Sequence, residues 1–374
     1  MRPVRMLASA TAAAAGVTAL LAGPADAAAS QQAERAPVFV QTDNPAGNTI
    51  VAYDRTGSGS LVQAGRYPTG GRGGVLDGSV VDHVASQGSL TYDRGSGLLY
   101  AVNAGSDTIT TFAVRGDRLV RRQVLPSGGS FPVSITAHGN LVYVLNARAG
   151  GSIQGYLRIG EVLVRIPAWH RGLGLDPTQT PEFTSTPGQV VFTPDGSRLL
   201  VPTKGGTSSI DVFRVGPSGP SAPTVTSLRG AVPFSVAFDA AGHVAVAEAG
   251  PNAVATFRLG RDGRLTELDS APTGEAATCW IVSAGGTLYL SNAGSGTVSR
   301  FAVDRLGTLT GLGTTATDAG TVDAAGSSDG SFLYVQAGAA GIVDAYRIGA
   351  GGSLTRVGSV TVPGAAGGEG IVAL

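Results

Sequence analysis

LYLSNAGSGTVSRF, residues 288–301, decides the fold. An apolar run, a polar residue, a Gly/Ser turn, a second β-branched run and a closing aromatic follow one another. Both runs are short, rich in β-branched and aromatic residues, and bounded by Gly, Ser and Asn, which is strand chemistry. The same order recurs at 98–112 (LLYAVNAGSDTITTF), 141–156 (LVYVLNARAGGSIQGY), 199–213 (LLVPTKGGTSSIDVF), 244–257 (VAVAEAGPNAVATF) and 332–346 (FLYVQAGAAGIVDAY). A weaker copy, VFVQTDNPAGNTIVAY, spans 38–53. The closing aromatics are Tyr53, Phe112, Tyr156, Phe213, Phe257, Phe301 and Tyr346, spaced by 59, 44, 57, 44, 44 and 45 residues. A period of 44 with two insertions of about 15 and 13 residues accounts for all six intervals.

A strand and turn precede each copy, as in QVVFTPDG and SVAFDAAG, with hairpin pairs at Asp195-Gly196 and Asp329-Gly330. A fourth short strand follows, as in GRLTELDSA at 263–271. Four antiparallel strands per repeat predict an all-β chain, a seven-bladed β-propeller of four-stranded antiparallel blades over residues 37–374. The first copy lacks an innermost strand, and the chain ends on a spare one, Gly370-Ile-Val-Ala-Leu374. The C-terminal strand is therefore expected to close the ring, which hides sheet edges and favours a monomer.

Composition bounds the rest. The 374 residues include 57 Gly and 20 Pro without a G-X-Y period, which excludes collagen. Basic and acidic residues balance at 26 each, against a nucleic-acid partner. The single cysteine, Cys279, excludes an intrachain disulfide and a cysteine metal cluster, and it reads as a buried, inert thiol. Met1–Arg5 is a short basic segment, 6–22 an apolar one, and Ala25-Asp26-Ala27 a small-residue cleavage site. Residues 1–27 therefore read as a signal peptide, 28–36 as a disordered leader, and the mature chain as secreted without a stable membrane anchor.

Propeller topology brings three sets of residues to one face, called the top. Inner strands start there, at Ser89, Ser134, Gln189, Ser235, Cys279 and Asp323. Second strands end there, at Asn103, Asn146, Lys204, Glu248, Asn292 and Gln336. The two insertions, about 66–86 and 164–186, add His83, Trp169, His170 and Arg171, with Arg72, Asp77, Asp82, Asp176 and Glu182. Polar residues where strands end commonly serve turns, whereas a converging ring with long loops also suits a ligand. The ligand-binding candidates are Asn103, Asn146, Gln189, Lys204, Glu248, Asn292, Gln336, His83 and Trp169. Lys204, the only lysine, pairs on this reading with Glu248 at the pocket rim, as an inter-blade ion pair or a charge pair for a ligand or proton transfer. Lys204, Glu248, His170 and Arg171 are the catalytic candidates. Trp169 reads as a sugar-stacking platform or as packing. No ligand spacing marks a metal and no motif marks a cofactor.

The repeats resemble the lactonase-like seven-bladed propellers, namely propeller-type 6-phosphogluconolactonases and carboxymuconate-lactonizing enzymes. Leu288–Val298 also resembles YVTN-type surface propellers. The resemblance is strongest over 186–213, TPGQVVFTPDGSRLLVPTKGGTSSIDVF. There the family's enzymes carry Pro-Arg-His and Asn-Glu, where this chain has Pro187-Gly188-Gln189 and Thr203-Lys204. Their Pro-His-Ser falls on Pro132-Val133-Ser134. The family's proton shuttle and carboxylate-binding cation are thus missing from their places. Three functions follow as expectations. The first is a secreted propeller binding a small polar ligand, a glycan or a cell-surface protein at its top funnel. The others are a lactonase or lactonizing enzyme with a rearranged site, and a surface spacer.

Overall fold

A computed structural model describes residues 36–374. Seven four-stranded antiparallel sheets follow one another along the chain, the fourth with one extra two-stranded hairpin. The inner strands of blades 1 to 7 are Ile371–Ala373, Leu90–Asp93, Pro132–His138, Val191–Phe192, Pro233–Phe238, Thr278–Ala284 and Thr321–Gly326. Six of the seven neighbouring pairs of inner strands are in contact, and blade 4 meets the inner strand of blade 5 through its second strand, Arg198–Pro202, so the circle is closed. Blade 1 is completed from the C-terminus as the sequence suggests. Val38, Phe39 and Val40 pair with Ala373, Val372 and Ile371, and Gln41 N donates to Gly370 O at 2.8 Å.

Second strands such as Leu98–Asn103 and Phe332–Ala337 are buried at every residue, because a neighbouring blade covers each face. That is why they read as continuous apolar runs. Outer strands such as Leu61–Pro68 are mostly exposed. The core therefore lies between blades: Val38, Val40, Val51 and Tyr53 of blade 1 pack on Phe332, Tyr334 and Val343 of blade 7. All seven closing aromatics are buried. In six blades the aromatic sits where the third and outer strands slip register by a bulge, at Tyr53, Phe112, Tyr156, Phe257, Phe301 and Tyr346. A bulge bends and twists the outer strand there, and the large side chain fills the space beneath. Blade 4 has no such slip at Phe213; its outer strand is broken into Gly219–Pro220 and Thr224–Ser227.

The insertions begin later than their sequence bounds. Residues 61–68 finish the outer strand of blade 1, so the first insertion is 69–89. The outer strand of blade 3 is Val162–Gly172, so the second starts at 173 and carries a helical turn, Glu182–Ser185.

Candidate functional site

The top mouth is filled, not open. Ser86-Gln87-Gly88 of the first insertion runs into it and bonds to blade after blade. Ser86 Oγ donates to Val133 O at 2.7 Å, and Trp280 Nε1 donates to Ser86 O at 2.7 Å. The Gln87 amide acts as an extra peptide group: Nε2 donates to Ile281 O at 2.8 Å and Oε1 accepts from Ile281 N at 2.9 Å. Its backbone N donates to Gly188 O at 2.9 Å. Ser134 Oγ donates to Gln87 O at 2.8 Å, and Gly88 N to Glu369 Oε1 at 2.8 Å. The plug thus joins blades 3, 4 and 6 to the C-terminal tail.

Lys204 lies beneath both insertions with its side chain buried, not at an open rim. Nζ donates to Ala85 O (2.7 Å), Phe183 O (2.6 Å) and Thr186 Oγ1 (3.0 Å), so all three of its hydrogens are used. It fastens the first insertion to the second. Burial pushes its pKa down to about 7 against the pull of Asp82. The expected pair with Glu248 is absent among the ion pairs of the described residues. Glu248 is buried in blade 5, and burial, then Glu267, push its carboxyl up to about 7. A second clamp joins the insertions from outside: Glu182 takes Arg148 at 2.6 Å and the backbone N of Asp77 at 2.7 Å.

The amide ring serves the turns. Asn103 Nδ2 donates to Thr108 and Thr110, and Asn292 Nδ2 to Thr297 and Ser299, each at 2.9–3.1 Å. Asn146 donates weakly to Ser127 and Ser152, both at 3.5 Å. Gln189 Oε1 accepts from Val236 N at 2.6 Å, stitching blade 4 to blade 5. Gln336 is buried and its Oε1 has no protein partner. His83 is half-buried against the tail, where its backbone N donates to Gly367 O at 2.7 Å, and burial lowers its pKa. His170 and Arg171 leave the site altogether. They lie on the outermost strand of blade 3, His170 opposite Gln154 and exposed. Trp169 is on the same strand and stacks on Tyr143, with ring centres 6.2 Å apart. Only glycine fits beneath it at 155 and 219, where a Cβ would meet the indole at 3.0 and 2.2 Å. It packs the blade and is no platform at the mouth.

Two groupings escaped the sequence reading. The first is a set of buried carboxylates on the axis, in which Asp82 and Asp323, expected at the top face, are joined by Asp43 and Glu369, which the sequence did not single out. Asp82 accepts from the backbone N of Val84, Ala85 and Ser86, each at 2.9 Å. Asp43 takes Gln41 Nε2 at 2.6 Å and Glu369 N at 2.9 Å. Burial pushes Asp43, Asp82 and Asp323 up to about 7 and Glu369 well above its ordinary value, the last also through Asp323, Asp82 and Asp43. Among the described residues no three His, Cys, Asp or Glu are arranged to hold a metal. Glu369 left one signal: it is the only charge in the last eighteen residues.

The second group lines a cavity of about 230 Å³ between the first insertion (Gly78–Asp82), Phe183 of the second, and the entries of blades 5 and 6 (Phe234, Ala277, Cys279, Trp280, Ala293). The Phe234 and Trp280 ring centres are 4.9 Å apart and inclined by 58°. Burial pushes the Cys279 thiol up to about 12, so it stays protonated, as the sequence suggests. A wider cleft of about 420 Å³ opens on the bottom face beside Asp239, Ser283, Asp304 and Arg305. Its acids are spent on their own turns: Asp239 takes Ala241 N and the backbone N and Nδ1 of His243, and Asp304 takes Leu306 N and Thr308 N. The top cavity, bordered by both insertions, is the better candidate site.

Residues 246–369 match the sequence profile of a family described as lactonase, 7-bladed beta-propeller. No curated protein matches the chain in sequence. Among solved structures, the periplasmic gluconolactonase of Pseudomonas aeruginosa is similar at 19% identity and TM-score 0.72, covering 90% of this chain and 98% of that one. A protein from Lactobacillus plantarum has 20% identity and TM-score 0.72, with 91% and 99% covered. Virginiamycin B lyase from Staphylococcus aureus has 14% identity and TM-score 0.55, with 77% and 89% covered. At these identities the likeness is one of fold. By fold the chain is a seven-bladed β-propeller, and over residues 246–369 its sequence is similar to the lactonase 7-bladed beta-propeller family.

Proposed function

We propose that this protein is an exported binding propeller that captures a small molecule in the top-face cavity under its two insertions. The observation that carries this is the cavity itself, walled by Phe183, Phe234 and Trp280 and closed by the strand-free segment Gly78–Asp82. Concave, mostly apolar sites with few polar groups are the usual form of small-molecule sites. Opening a lactone needs a free base and a free donor for the developing oxyanion. Here Asp82 is capped by three backbone N–H groups and Lys204 has spent its donors. Of the polar ring foreseen for a sugar or glycan, Asn103 and Asn292 are taken up in turns and Gln189 in a bond between blades. Binding without turnover is the reading these contacts favour. The basic-then-apolar N-terminus supports export, and a periplasmic relative of the same fold agrees with it.

One reagent pair tests the reading. Cys279 is the only thiol and lines the cavity, and Trp280 is one of two tryptophans. A bound ligand should slow alkylation of Cys279 and change Trp280 emission saturably. Screening amines, aromatic acids, sugar acids and lactones by both readouts should find ligands without turnover. Lactone hydrolysis abolished by Asp82→Asn would instead favour the enzyme, a second reading supported by the lactonase match over 246–369. Secreted protein should begin at or within two residues of Ala28; cytoplasmic recovery with Met1 intact would refute export.

A further inference from the structure

The cavity's walls and its electrostatic background point to one class of ligand, on the reading that the cavity binds a small molecule at all. Three aromatic rings line it: Phe183, Phe234 and Trp280. The face of an aromatic ring is negative and attracts cations. Lys204 Nζ already lies 5.3 Å from the Phe234 ring centre. The Trp280 N–H is spent on Ser86 O, so its ring is offered as a surface and not as a donor. The ionisable groups in the cavity wall are Asp82 and the protonated Cys279. Behind Asp82 stand Asp43 from blade 1, Asp323 from blade 7 and Glu369 from the tail, all buried. Lys204 from blade 4 is the single buried cation facing them; burial lowers the pKa of His83 of the first insertion, and Glu182 of the second is paired with Arg148. Four carboxylates against one ammonium leave a deficit of positive charge beside an aromatic-walled space. The volume of about 230 Å³ admits roughly eight non-hydrogen atoms at the ~30 Å³ a water occupies in the liquid.

We propose that the cavity takes a compact organic cation, an alkyl- or arylammonium, seated against Trp280 with its charge turned toward Asp82. A neutral molecule of the same shape would gain only apolar burial. An anion would meet the carboxylates. Burial holds the axial acids partly protonated near neutral pH, so an arriving cation favours their ionised forms and expels protons. Affinity should therefore rise as pH rises through about 7. Lys204 works in the same direction, since it loses its charge over the same range.

Benzylammonium, benzyl alcohol and benzoate share a ring, are of nearly equal size and differ in charge. Calorimetry of the full-length mature protein in two buffers of different ionisation enthalpy measures binding and proton release together. The cation should bind at least tenfold more tightly than the alcohol, tighten several-fold from pH 6 to pH 8, release protons and protect Cys279. Benzoate should not bind. Val80 is 79% exposed beside the cavity, so charging it leaves the fold alone. Val80→Glu should tighten cation binding and Val80→Arg weaken it, each by a few-fold, with the alcohol unaffected. Alcohol or benzoate binding as tightly as the cation, or binding without proton release, overturns the cation and leaves the cavity reading standing. If none of the three binds and no compound of the wider panel protects Cys279, the cavity reading fails as well.

Discussion

Replacing Lys204 by methionine should give a stability loss whose size depends on pH, and the contacts fix how. Methionine keeps the length of the side chain and removes the donors. Ala85 O and Phe183 O then stay buried without partners, at ~1–3 kcal/mol each, or about 2–6 kcal/mol together. Against this stands the burden of burying the ammonium. Moving a lysine from 10.5 to about 7 costs about 5 kcal/mol at the ~1.4 kcal/mol per tenfold change in proton affinity. That burden exists wherever the unfolded lysine is charged, and it disappears as the folded protein's environment matches a neutral amine. Between pH 7 and 10.5 the unfolded state binds more protons, so the Lys204 contribution rises with pH. At pH 7 the substitution should therefore be nearly neutral or slightly stabilising. At pH 9.5 it should cost several kcal/mol. Urea unfolding of both proteins at the two pH values, followed by circular dichroism, reads the difference. A pH-independent cost, or the larger cost at pH 7, would refute a buried, desolvated ammonium. It would indicate the exposed ion pair with Glu248 that the sequence suggested, worth ~0–1 kcal/mol.

Deleting residues 368–374 removes the inner strand of blade 1 and the Glu369 cap, so cooperative unfolding should be lost or the protein should aggregate; unchanged melting by calorimetry would sink strand closure. Asp43, Asp82 and Asp323 have folded pKa values above their unfolded ones, so their contribution is complete below about pH 4 and lost as pH rises through about 7; Glu369, raised by burial and by the other three, acts in the same direction. Melting should thus fall between pH 5 and 7, and Glu369→Gln should flatten that fall; a wild-type rise across this range would contradict the acid cluster. Trp169→Ala should cost ~2–4 kcal/mol by loss of packing on Tyr143 while leaving ligand binding intact. His170→Ala and Arg171→Ala should change stability by no more than ~0.5 kcal/mol and binding not at all, and a binding defect in either would return them to the site.

The blades were legible because each buries one aromatic at a fixed place, marked in six of the seven by a bulge. Spacing alone could not tell a loop from a longer strand. Residues 164–172 therefore read as insertion, although Val164, Trp169 and their neighbours extend the outer strand of blade 3. The polar ring was legible as a ring but not as a funnel. Asn103 and Asn292 bond to hydroxyl side chains five and seven residues on, the local turn chemistry that such positions invite. What fills the mouth is less readable still. Gln87 pairs with Ile281 across 194 residues by imitating a strand with its side chain, and no local pattern encodes that partner. Lys204 stood out by being alone, which marked its importance and concealed its burial.

The ring clasp and the plug are one piece of chemistry. Glu369 directly precedes Gly370 and the closing strand, and its carboxylate accepts from Gly88 N at the point where the plug turns into blade 2. Gly370 has φ +109, and a Cβ there would lie 2.3 Å from Ser89 Oγ, so the tail can approach only as glycine. Ser89 Oγ in turn donates to Glu369 O at 2.8 Å. The plug continues upstream through Ala85, whose carbonyl takes Lys204, and Lys204 holds Phe183 of the second insertion. Closing the ring thus positions the plug, the plug positions Lys204, and Lys204 positions one aromatic wall of the cavity. A buried carboxylate is an expensive link for such a chain, since an uncompensated charge in the interior is strongly disfavoured. Glutamine could make the same bond to Gly88 N without that cost. What glutamine lacks is a proton to lose, and the acid belongs to the same cluster of buried carboxyl groups that reaches the cavity through Asp82.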